Sequence, residues 1–296
     1  MIVQACPCCG ATTSDPVPFG RHGLRSCVAC GAVRSTEVDD PSEVYDDDYH
    51  QGADGFFVDT DAPGLHAYLE RAYAQRLALI ERAAPGKGRL LDVGCARGDF
   101  LVTARDAGWD VTGVELVASA AATARDRHGL DVREGLLADA GLEPGSFDLV
   151  CGFHVVEHVT DATDFLRELA SYCRPGGHVA VEVPNWGSLL RRRQGPDWVH
   201  LRPREHVTHF TAATLTDTLR RAGLRTVSVL SPSYTGAAVE VGQALTDVGL
   251  RELASPLTKL DRTAAGPQVR RGLRWVERGL SRGHGGVVLL AVAQVP

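Results

Sequence analysis

The sequence predicts an α/β fold in which a mostly parallel, seven-stranded sheet has helices on both faces. Two observations predict it: apolar strand-like runs alternate with helix-like segments from residue 87 onward, and a glycine-rich turn follows the first run. Two C-x-x-C-G pairs precede this part of the chain and predict a separate module. The expected division is a small metal-binding module over residues 1–40, a loop and a helix over 41–86, and the sheet domain over 87–296. Helical cap insertions in the sheet domain are expected at about 186–211 and 231–285.

Cysteines define the N-terminal module. Five of the chain's eight cysteines lie in the first thirty residues, and four of them form the two pairs: Cys6, Cys9, Cys27 and Cys30. Each pair brings two thiolates to one side of a tight turn, and two pairs complete the tetrahedral sulfur set of a structural zinc ribbon. Disulfides are the alternative, but a reducing cytoplasm disfavours them. Cys8 is left over, because ligation through it would need the less usual C-x-C spacing.

The next segment, residues 38–64, is acidic and loop-like, yet it contains Tyr45 and Tyr49. An exposed acidic loop gains nothing from aromatic rings. We therefore expect a lid that places both tyrosines against the bound ligands, with Tyr49 nearest; a solvated surface loop is the simpler interpretation. Residues 68–84 have an apolar stripe at helical spacing and predict a helix that ends before Pro85.

The first core strand and the turn after it form the predicted ligand site. Residues 90–93 are an apolar run typical of a buried parallel strand, and residues 94–98 turn the chain into a helix that begins at Phe100. Glycines are expected in the turn because a side chain would hold the backbone away from a ligand lying across the strand's carboxyl end. The second strand, 109–115, ends in Glu115, which is placed to accept hydrogen bonds from two ribose hydroxyls. Together these features indicate a nucleoside cofactor.

Charges around the turn distinguish between nucleoside cofactors. A dinucleotide site needs the order G-x-G-x-x-G, so that a pyrophosphate rests on bare backbone N–H groups. Counting from Gly94, Ala96 and Asp99 occupy the second and third glycine positions, and Asp92 adds a carboxylate within the strand. Two acids repel a phosphate and suit a cationic ligand.

The order Asp92-x-Gly94-x-x-x-Gly98 followed by Glu115 resembles the class I S-adenosylmethionine-dependent methyltransferases, whose cofactor carries an amino group and a sulfonium but no phosphate. The phrases G-S-F-D-L-V and C-R-P-G-G-H-V are similar to the corresponding segments of that class, and the resemblance covers roughly residues 65–230. It implies a Rossmann-like fold. An acid often follows the glycine after the third strand in this class; Leu136 stands there instead, so we expect apolar packing and main-chain groups to hold the adenine. The implied cofactor-binding residues are Asp92, Gly94, Cys95, Gly98, Glu115, Leu116, Leu136 and Leu137.

The remaining elements follow the same alternation. Helices are expected over 118–128, 163–174 and 212–222, with Thr211 capping the last. Strands are expected over 130–132, up to 152–154, and over 178–183, 224–230 and 286–295; the resemblance implies that the last two pair antiparallel. Residues 269–282 predict a basic amphipathic helix, which we expect to cover the acceptor pocket; a membrane-surface helix is the alternative.

Methyl transfer requires the acceptor in line with the methyl group and, for a hydroxyl acceptor, removal of a proton. The sequence His154-Val-Val-Glu157-His158 follows the fourth strand, at the edge where the methyl group would emerge. His154 and His158 are therefore expected at the reacting centre, with His154 also contacting the cofactor. In the alternative interpretation, Glu157 and His158 only begin the next helix and brace the cofactor loop.

A second histidine cluster lies between residues 198 and 211, where Trp198, His200 and His209 are expected to bind the acceptor. Glu205-His206 with His209-Phe210 resembles the E-H-x-x-[YH]-F motif of zinc-ribbon-bearing sugar and natural-product methyltransferases. We expect His206 to be the general base, with Glu205 orienting its imidazole and raising its pKa; a structural histidine, or another partner for Glu205, is the alternative. Pro203 stands where carbon-methylating deoxysugar enzymes have a tyrosine, which weighs against carbon methylation.

The composition of the chain limits the kinds of partner that it is expected to bind. A net charge of −6 and a pI near 6.0 argue against a nucleic-acid partner. No apolar run approaches the ~20 residues that span a bilayer, and the first residues do not resemble a signal peptide. A cytoplasmic protein that acts on a small molecule is expected, and its oligomeric state is left open.

The predicted function is therefore transfer of a methyl group from S-adenosylmethionine to a hydroxyl of a sugar or natural product, in a protein that also holds a structural zinc ion. One alternative is N- or C-methylation of a nucleotide-linked deoxysugar. Another is a non-catalytic protein whose ribbon docks a partner and whose Rossmann-like part only binds a ligand. A hydride-transferring dehydrogenase is disfavoured by Ala96 and Asp99.

Overall fold

The computed structural model describes residues 2–19, 22–39, 63–232, 234 and 284–296, with only the backbone for residues 63–68. The predicted lid with Tyr45 and Tyr49, and the predicted helix over 269–282, lie outside the described residues. Among the helices that are described, none is both long and apolar enough to cross a bilayer.

The N-terminal module contains three short antiparallel strands. They are β1 (Ser14–Pro16), β2 (Leu24–Cys27) and β3 (Val33–Ser35), paired in the order β1–β2–β3. A segment this small buries little apolar surface of its own, so its fold depends on a metal or on packing against a larger body.

The rest of the described chain forms the strands and α-helices of the sheet domain. The strands are β4 (Arg89–Val93), β5 (Asp110–Glu115), β6 (Asp131–Glu134), β7 (Phe147–Phe153), β8 (Cys173–Pro184), β9 (Thr208–His209), β10 (Arg225–Leu230) and β11 (Val288–Gln294). The helices are α1 (Pro63–Ala83), α2 (Asp99–Asp106), α3 (Ala118–His128), α4 (Ala162–Tyr172), α5 (Leu189–Gln194) and α6 (Ala212–Arg221).

Seven of these strands form the central sheet in the order β10–β11–β8–β7–β4–β5–β6. Strand β11 is antiparallel to both of its neighbours, and the other pairs are parallel. The predicted fold class is confirmed, as is the antiparallel pairing of the last two strands. The chain runs outward in opposite directions from β4 and β7, so the crevice at their carboxyl ends is the topological switch point where such sheets bind ligands.

The sheet is buried on both faces. Helices α1, α2 and α3 pack on one face over a core that includes Leu90, Leu101 and Leu149. Helices α4 and α6 pack on the other face, where Leu166, Leu215 and similar side chains are fully buried. Burial on both faces explains why the central strands are continuous apolar runs.

The helix predicted over 163–174 ends earlier, at Tyr172, and β8 begins five residues before the predicted start at 178. The backbone of Cys173 is already extended, with φ −73° and ψ 143°. Arg174 precedes a proline, which disfavours the α conformation. The Arg174 Nε donates to Asp148 Oδ1 at 2.6 Å and holds this extended segment against β7. By contrast, the predicted bounds of the helix over 118–128 and the cap of α6 by Thr211 are confirmed.

The N-terminal module over residues 1–40, called the ribbon below, is joined to the sheet domain by strand pairing. Strand β9 lies in the predicted 186–211 insertion, yet it pairs antiparallel with β3 and forms the fourth strand of the ribbon sheet. The first cysteine turn also contacts α4, since Ala162 N donates to Pro7 O at 2.9 Å and Thr163 Oγ1 donates to Cys8 O at 2.9 Å. The sequence did not predict that the module over residues 1–40 is completed by the sheet domain.

Gly98 and Gly129 provide a matched pair of substitutions. Both have left-handed backbones, with φ +83° and +64°. A Cβ on Gly98 would lie 2.5 Å from Leu130 Cδ1 and 3.1 Å from Ala124 Cβ, whereas one on Gly129 would meet nothing within 4 Å. We expect Gly129→Ala to cost about 1–2 kcal/mol of backbone strain, and Gly98→Ala to cost at least ~1 kcal/mol more because of overpacking. Urea denaturation measures both, and equal losses would contradict this packing role.

Candidate active site

The glycine turn after β4 satisfies most of its own backbone groups. The N–H groups of Gly94 and Cys95 donate to Val114 O at 2.8 and 3.2 Å, and that of Gly98 donates to Cys95 O at 2.9 Å. Ala96 N donates to Glu115 Oε2 at 2.8 Å. These four bonds fix the backbone of the turn and its position beside Glu115.

Glu115, at the end of β5, is held rigidly beside this turn. Its Oε1 accepts from Val117 N at 2.9 Å, while Oε2 accepts from Ala96 N. Ala96 has φ +49°, an unusual value for a residue with a side chain, which costs about 1–2 kcal/mol. The strained Ala96 thus fixes the position of the carboxylate at the end of β5, beside the glycine turn.

Asp92 is the second acid of the turn. Its side chain is 3% exposed, and its Oδ1 has no hydrogen-bond partner. Burial is the main cause that raises the pKa of this carboxyl to about 7; Arg76 lowers it and Glu115 raises it further. A buried carboxylate oxygen without a partner is costly, and the amino group of a bound nucleoside cofactor would satisfy it.

The apolar residues predicted around the adenine lie along the same edge. Leu116 and Leu136 are 43% and 60% exposed, which is unusual for leucine, and they follow the carboxyl ends of β5 and β6. Leu137 is buried, and its carbonyl accepts from Tyr172 Oη at 3.2 Å. The two exposed leucines could flank a flat base, whereas Leu137 supports the loop from beneath.

Three predicted cofactor residues also have packing roles, and their contact with a cofactor stays a prediction. The side chain of Cys95 is buried, and it packs where a Cβ on Gly113 would come within 2.6 Å of its Sγ. Gly98 makes room for Leu130 of the core. At Gly94 a Cβ would lie 2.6 Å from Val155 Cγ2, so this glycine allows the loop after β7 to pack directly on the turn.

His154, at the end of β7, lies between two buried carboxylates. Its Nδ1 is 3.3 Å from Glu157 Oε1, and its Nε2 is 3.3 Å from Glu182 Oε1. Burial lowers its pKa, but the two carboxylates outweigh this effect and raise the pKa of His154 to about 9. Its side chain is 40% exposed and its backbone has φ +57°. His154 is therefore a cation at neutral pH, suited to donating hydrogen bonds and not to accepting a proton.

Glu182 and Arg76 are site residues that sequence reasoning missed. Glu182 is fully buried near the end of β8, where Arg76 of α1 and the hydroxyl of Tyr234 donate to it. Burial raises its pKa, but Arg76 and His154 outweigh that and lower the pKa of Glu182 to about 2. A signal was present in the sequence: an acid interrupts the apolar run V-A-V-E-V, and an arginine interrupts the apolar stripe of α1.

Glu157, His158 and His206 converge on one point. One ligand atom from each lies within 4.8 Å of the others, and the rings of His158 and His206 meet edge to face at 4.6 Å. His206 Nδ1 donates to His200 O at 3.1 Å, which leaves Nε2 as the nitrogen with a free lone pair. Burial is the main cause that lowers the pKa of His206 well below its usual value.

The expected pairing of Glu205 with His206 is wrong. The Glu205 carboxylate pairs with Arg202, with 2.9 Å from Nε to Oε1 and 2.7 Å from Nη2 to Oε2. Adjacent residues in this turn point in different directions, so the carbonyl of His200 orients His206 instead. The pKa of His206 is consequently lowered by burial, whereas the sequence predicted that a carboxylate would raise it.

Three residues expected to bind the acceptor have structural contacts. Trp198 is 2% exposed and packs on the rings of Trp186 and His200. His209 is 3% exposed, lies 3.3 Å from Ser35 Oγ through Nε2, and has its pKa lowered to about 3 by burial and Arg191. Direct acceptor contact by Trp198 and His209 does not fit this burial. His200 contributes its carbonyl to His206, and its own acceptor contact stays a prediction, as does that of Tyr45 and Tyr49.

The four predicted metal-binding cysteines come together at the base of the ribbon. The sulfurs of Cys6, Cys9, Cys27 and Cys30 all lie within 4.8 Å of one another. The distance between Cys6 and Cys30 sulfurs is 3.5 Å, and between Cys9 and Cys27 sulfurs 3.6 Å. Cys8 is buried and is not part of this set. A tetrahedral ion with sulfur bonds of about 2.3 Å has sulfurs slightly under 4 Å apart, so the set fits zinc.

Comparison with known proteins agrees with this geometry. A family model described as "Methyltransferase domain" matches residues 65–229, which is more than half of the chain. The chain belongs to this methyltransferase family. The match ends where the predicted C-terminal insertion begins, and it does not include the cysteine module.

Curated relatives match parts of this chain. Over 142 residues it is 32% identical to a probable S-adenosylmethionine-dependent methyltransferase of Mycolicibacterium smegmatis, covering 48% of this chain and 53% of that protein. It is 38% identical over 112 residues to a ubiquinone biosynthesis O-methyltransferase of Ralstonia nicotianae, covering 35% and 47%. An enzyme of the same name from Aromatoleum aromaticum is 31% identical over 176 residues, covering 54% and 74%. The chain spans about half the length of the first two relatives.

Solved structures share the fold of this chain. A SAM-dependent methyltransferase from Archaeoglobus fulgidus superposes with a TM-score of 0.51 at 20% identity, covering 76% of this chain and 94% of that one. A geranyl diphosphate C-methyltransferase from Streptomyces coelicolor gives 0.51 at 16% identity, covering 88% and 85%. At these identities the likeness shows the fold alone.

The raised pKa of Asp92 predicts a pH dependence of stability. The folded protein holds this proton up to about pH 7, whereas the unfolded chain releases it near pH 4. The contribution is therefore present at low pH and is lost as pH rises, by about 2 kcal/mol between pH 5 and pH 8 without ligand. We expect Asp92→Asn to gain stability relative to the wild type over this window.

Urea denaturation at several pH values measures this gain. Asp110→Asn is the control, because the Asp110 side chain is 79% exposed. A constant difference between Asp92→Asn and the wild type would contradict the buried, protonated carboxyl.

Proposed function

We propose that this protein transfers a methyl group from S-adenosylmethionine to a hydroxyl of a small molecule, a sugar or another natural product. The observation that carries the proposal is the position of His206 Nε2. Its lone pair is free because Nδ1 donates to His200 O, and His206 lies close to Glu157 and His158, whose loop after β7 packs on the glycine turn.

The residues present fit the cofactor. Asp92 Oδ1 is buried without a partner and suits the cofactor's amino group. Glu115 is oriented by two backbone N–H groups and suits the ribose hydroxyls. The exposed Leu116 and Leu136 suit the adenine faces. S-adenosylmethionine supplies an electrophilic methyl group on a sulfonium, which needs no further activation by the protein.

His206 supplies the general base, a group that S-adenosylmethionine does not provide. A hydroxyl is a poor nucleophile until its proton leaves, and a positioned imidazole that accepts this proton accelerates such reactions by about 10²–10⁴-fold. His206 Nε2 takes the hydroxyl proton as the new oxygen–carbon bond forms. His154 is protonated, so it donates and does not compete for this role.

Two observations favour oxygen as the acceptor atom. Several curated relatives bear the name ubiquinone biosynthesis O-methyltransferase, and they match up to 74% of their own length. Pro203 occupies the position at which the resembling carbon-methylating enzymes have a tyrosine.

The four clustered cysteines support a structural zinc ion in this proposal. Four thiolates leave no open coordination position, so the ion stabilises the ribbon and does not react. Reduced thiols also agree with a cytoplasmic location. Strand β3 of the ribbon then holds β9, which immediately follows the loop that carries His206.

His206→Asn tests the general base. The Asn amide retains a donor near His200 O but has no basic nitrogen. We expect kcat to fall by about 100-fold or more while the Kd for S-adenosylmethionine stays within a factor of two or so. Release of S-adenosylhomocysteine is measured with a catechol and with a nucleoside-diphosphate deoxysugar as acceptor probes.

The matched control is His178→Asn, because His178 pairs near the opposite, amino end of β8. Near-normal turnover by His206→Asn would remove His206 from the chemistry. Failure of the wild type to bind S-adenosylmethionine would refute the proposed function itself.

Cys27→Ser tests the ribbon zinc against Cys8→Ser. Both cysteines are buried, but only Cys27 belongs to the four-sulfur cluster. We expect Cys27→Ser to lose the zinc and, because metal binding supplies the folding free energy of so small a module, to unfold the ribbon. Cys8→Ser should retain about one zinc per chain. Native mass spectrometry and limited proteolysis of residues 1–40 measure both effects; a folded, metal-free Cys27→Ser protein would contradict the proposal.

A further inference from the structure

Glu157 has a carboxylate that the proposed reaction does not use. The residue is 1% exposed, and neither oxygen has a hydrogen-bond partner of proper geometry. His154 Nδ1 lies 3.3 Å from Oε1, and the other ring nitrogen, Nε2, faces Glu182. A buried carboxylate without hydrogen bonds is costly, and a second positive group beside the one cation of His154 would offset that cost.

Two imidazole nitrogens face the same carboxylate. His158 Nε2 lies 3.9 Å from Glu157 Oε1, and His206 contributes the third ligand atom within 4.8 Å of both. At 3.9 Å the imidazole of His158 does not donate a hydrogen bond to the carboxylate. The gap between these atoms suits a bridging ion, since ligands of one metal lie about 3 Å apart.

Neighbouring groups orient Glu157, His158 and His206 in the way that is typical of metal ligands. A metal-binding imidazole commonly donates its other N–H to a carbonyl, and His206 Nδ1 does so to His200 O at 3.1 Å. The ring of His158 is held edge to face against that of His206, with 4.6 Å between the ring centroids. The backbone around Glu157 is fixed as well, because its carbonyl accepts from Thr208 N at 3.1 Å.

We propose that Glu157, His158 and His206 bind one divalent transition-metal ion, and that a hydroxyl oxygen of the acceptor completes its coordination. Two imidazoles and one carboxylate on one side of an ion leave open positions for a substrate, and this ligand set suits ions such as Zn²⁺, Co²⁺ and Fe²⁺. The site is separate from the four-cysteine cluster and has a different donor set.

The inference rests on the proposed methyl transfer and revises one part of it: with the ion bound, His206 Nε2 is a ligand, and the ion replaces it in activating the hydroxyl. A hydroxyl bound to the ion loses its proton to solvent more readily, and its oxygen then attacks the methyl carbon while the carbon–sulfur bond breaks. His206 acts on the acceptor through the ion in this state. The ion, Glu157 and a deprotonated hydroxyl sum to zero charge, which favours the complex in a buried site.

Co²⁺ is the probe, added to full-length protein that has been treated with a mild chelator until its only metal is the ribbon zinc. Nitrogen and oxygen ligands give weak visible bands, whereas thiolates add intense near-ultraviolet bands, so the spectrum identifies the site. We expect one Co²⁺ with a nitrogen–oxygen spectrum, and a gain of about tenfold or more in kcat with the catechol probe.

Glu157→Gln is expected to weaken Co²⁺ binding at least about tenfold and to abolish the gain in kcat. Glu205→Gln is the matched control, because its carboxylate lies in the same segment but pairs with Arg202, and it should bind Co²⁺ as the wild type does. Far-ultraviolet circular dichroism checks that both variants are folded.

A wild-type protein without the nitrogen–oxygen spectrum, or equal binding by Glu157→Gln, would overturn the metal site. Turnover without added Co²⁺ that is still lost in His206→Asn would also overturn it and would leave His206 as the general base. Absence of S-adenosylmethionine binding would instead refute the proposed function, so the two failures are distinguishable.

Discussion

The pairing of β3 with β9 is the interaction on which the candidate site depends. Strand β9 is two residues long, too short to hold a position by itself, and it begins two residues after His206. Ser35 of β3 donates to His206 O at 2.8 Å and contacts His209 Nε2 at 3.3 Å. The ribbon therefore sets the position of His206, and loss of order in the ribbon would disturb the reacting end of the sheet.

This coupling explains why a cysteine module adjoins a methyltransferase domain. The module contributes a sheet edge that the domain's own loop completes, and its first cysteine turn accepts hydrogen bonds from the start of α4. Through these contacts, the free energy of metal binding in the proposed ribbon site would also stabilise the loop over residues 198–211. We regard the ribbon as a support for the acceptor side, while the glycine turn forms the cofactor side.

The buried charges at the carboxyl edge of the sheet agree with a division into a cofactor side and an acceptor side. Buried acids line the carboxyl edge of the sheet at Asp92, Glu157 and Glu182. Arg76 and His154 satisfy Glu182, and the cation of His154 lies next to Glu157. Asp92 and Glu157 retain oxygens without hydrogen bonds. An edge with unsatisfied acids attracts positive groups, which agrees with an amino group and a sulfonium on one side and a metal ion on the other.

The sequence alone determined the strand and helix order of the central sheet, the glycine turn with Glu115, and the four clustered cysteines. These features follow from local periodicity, turn chemistry and ligand spacing, which need only neighbouring residues. Only the tertiary structure decided the partners of side chains distant in the chain. It paired Glu205 with Arg202, gave the orientation of His206 to a carbonyl, buried Trp198 and His209, and brought Arg76 to Glu182. The reason is physical: burial and side-chain direction depend on how separate elements pack, and no local pattern encodes which buried charges meet.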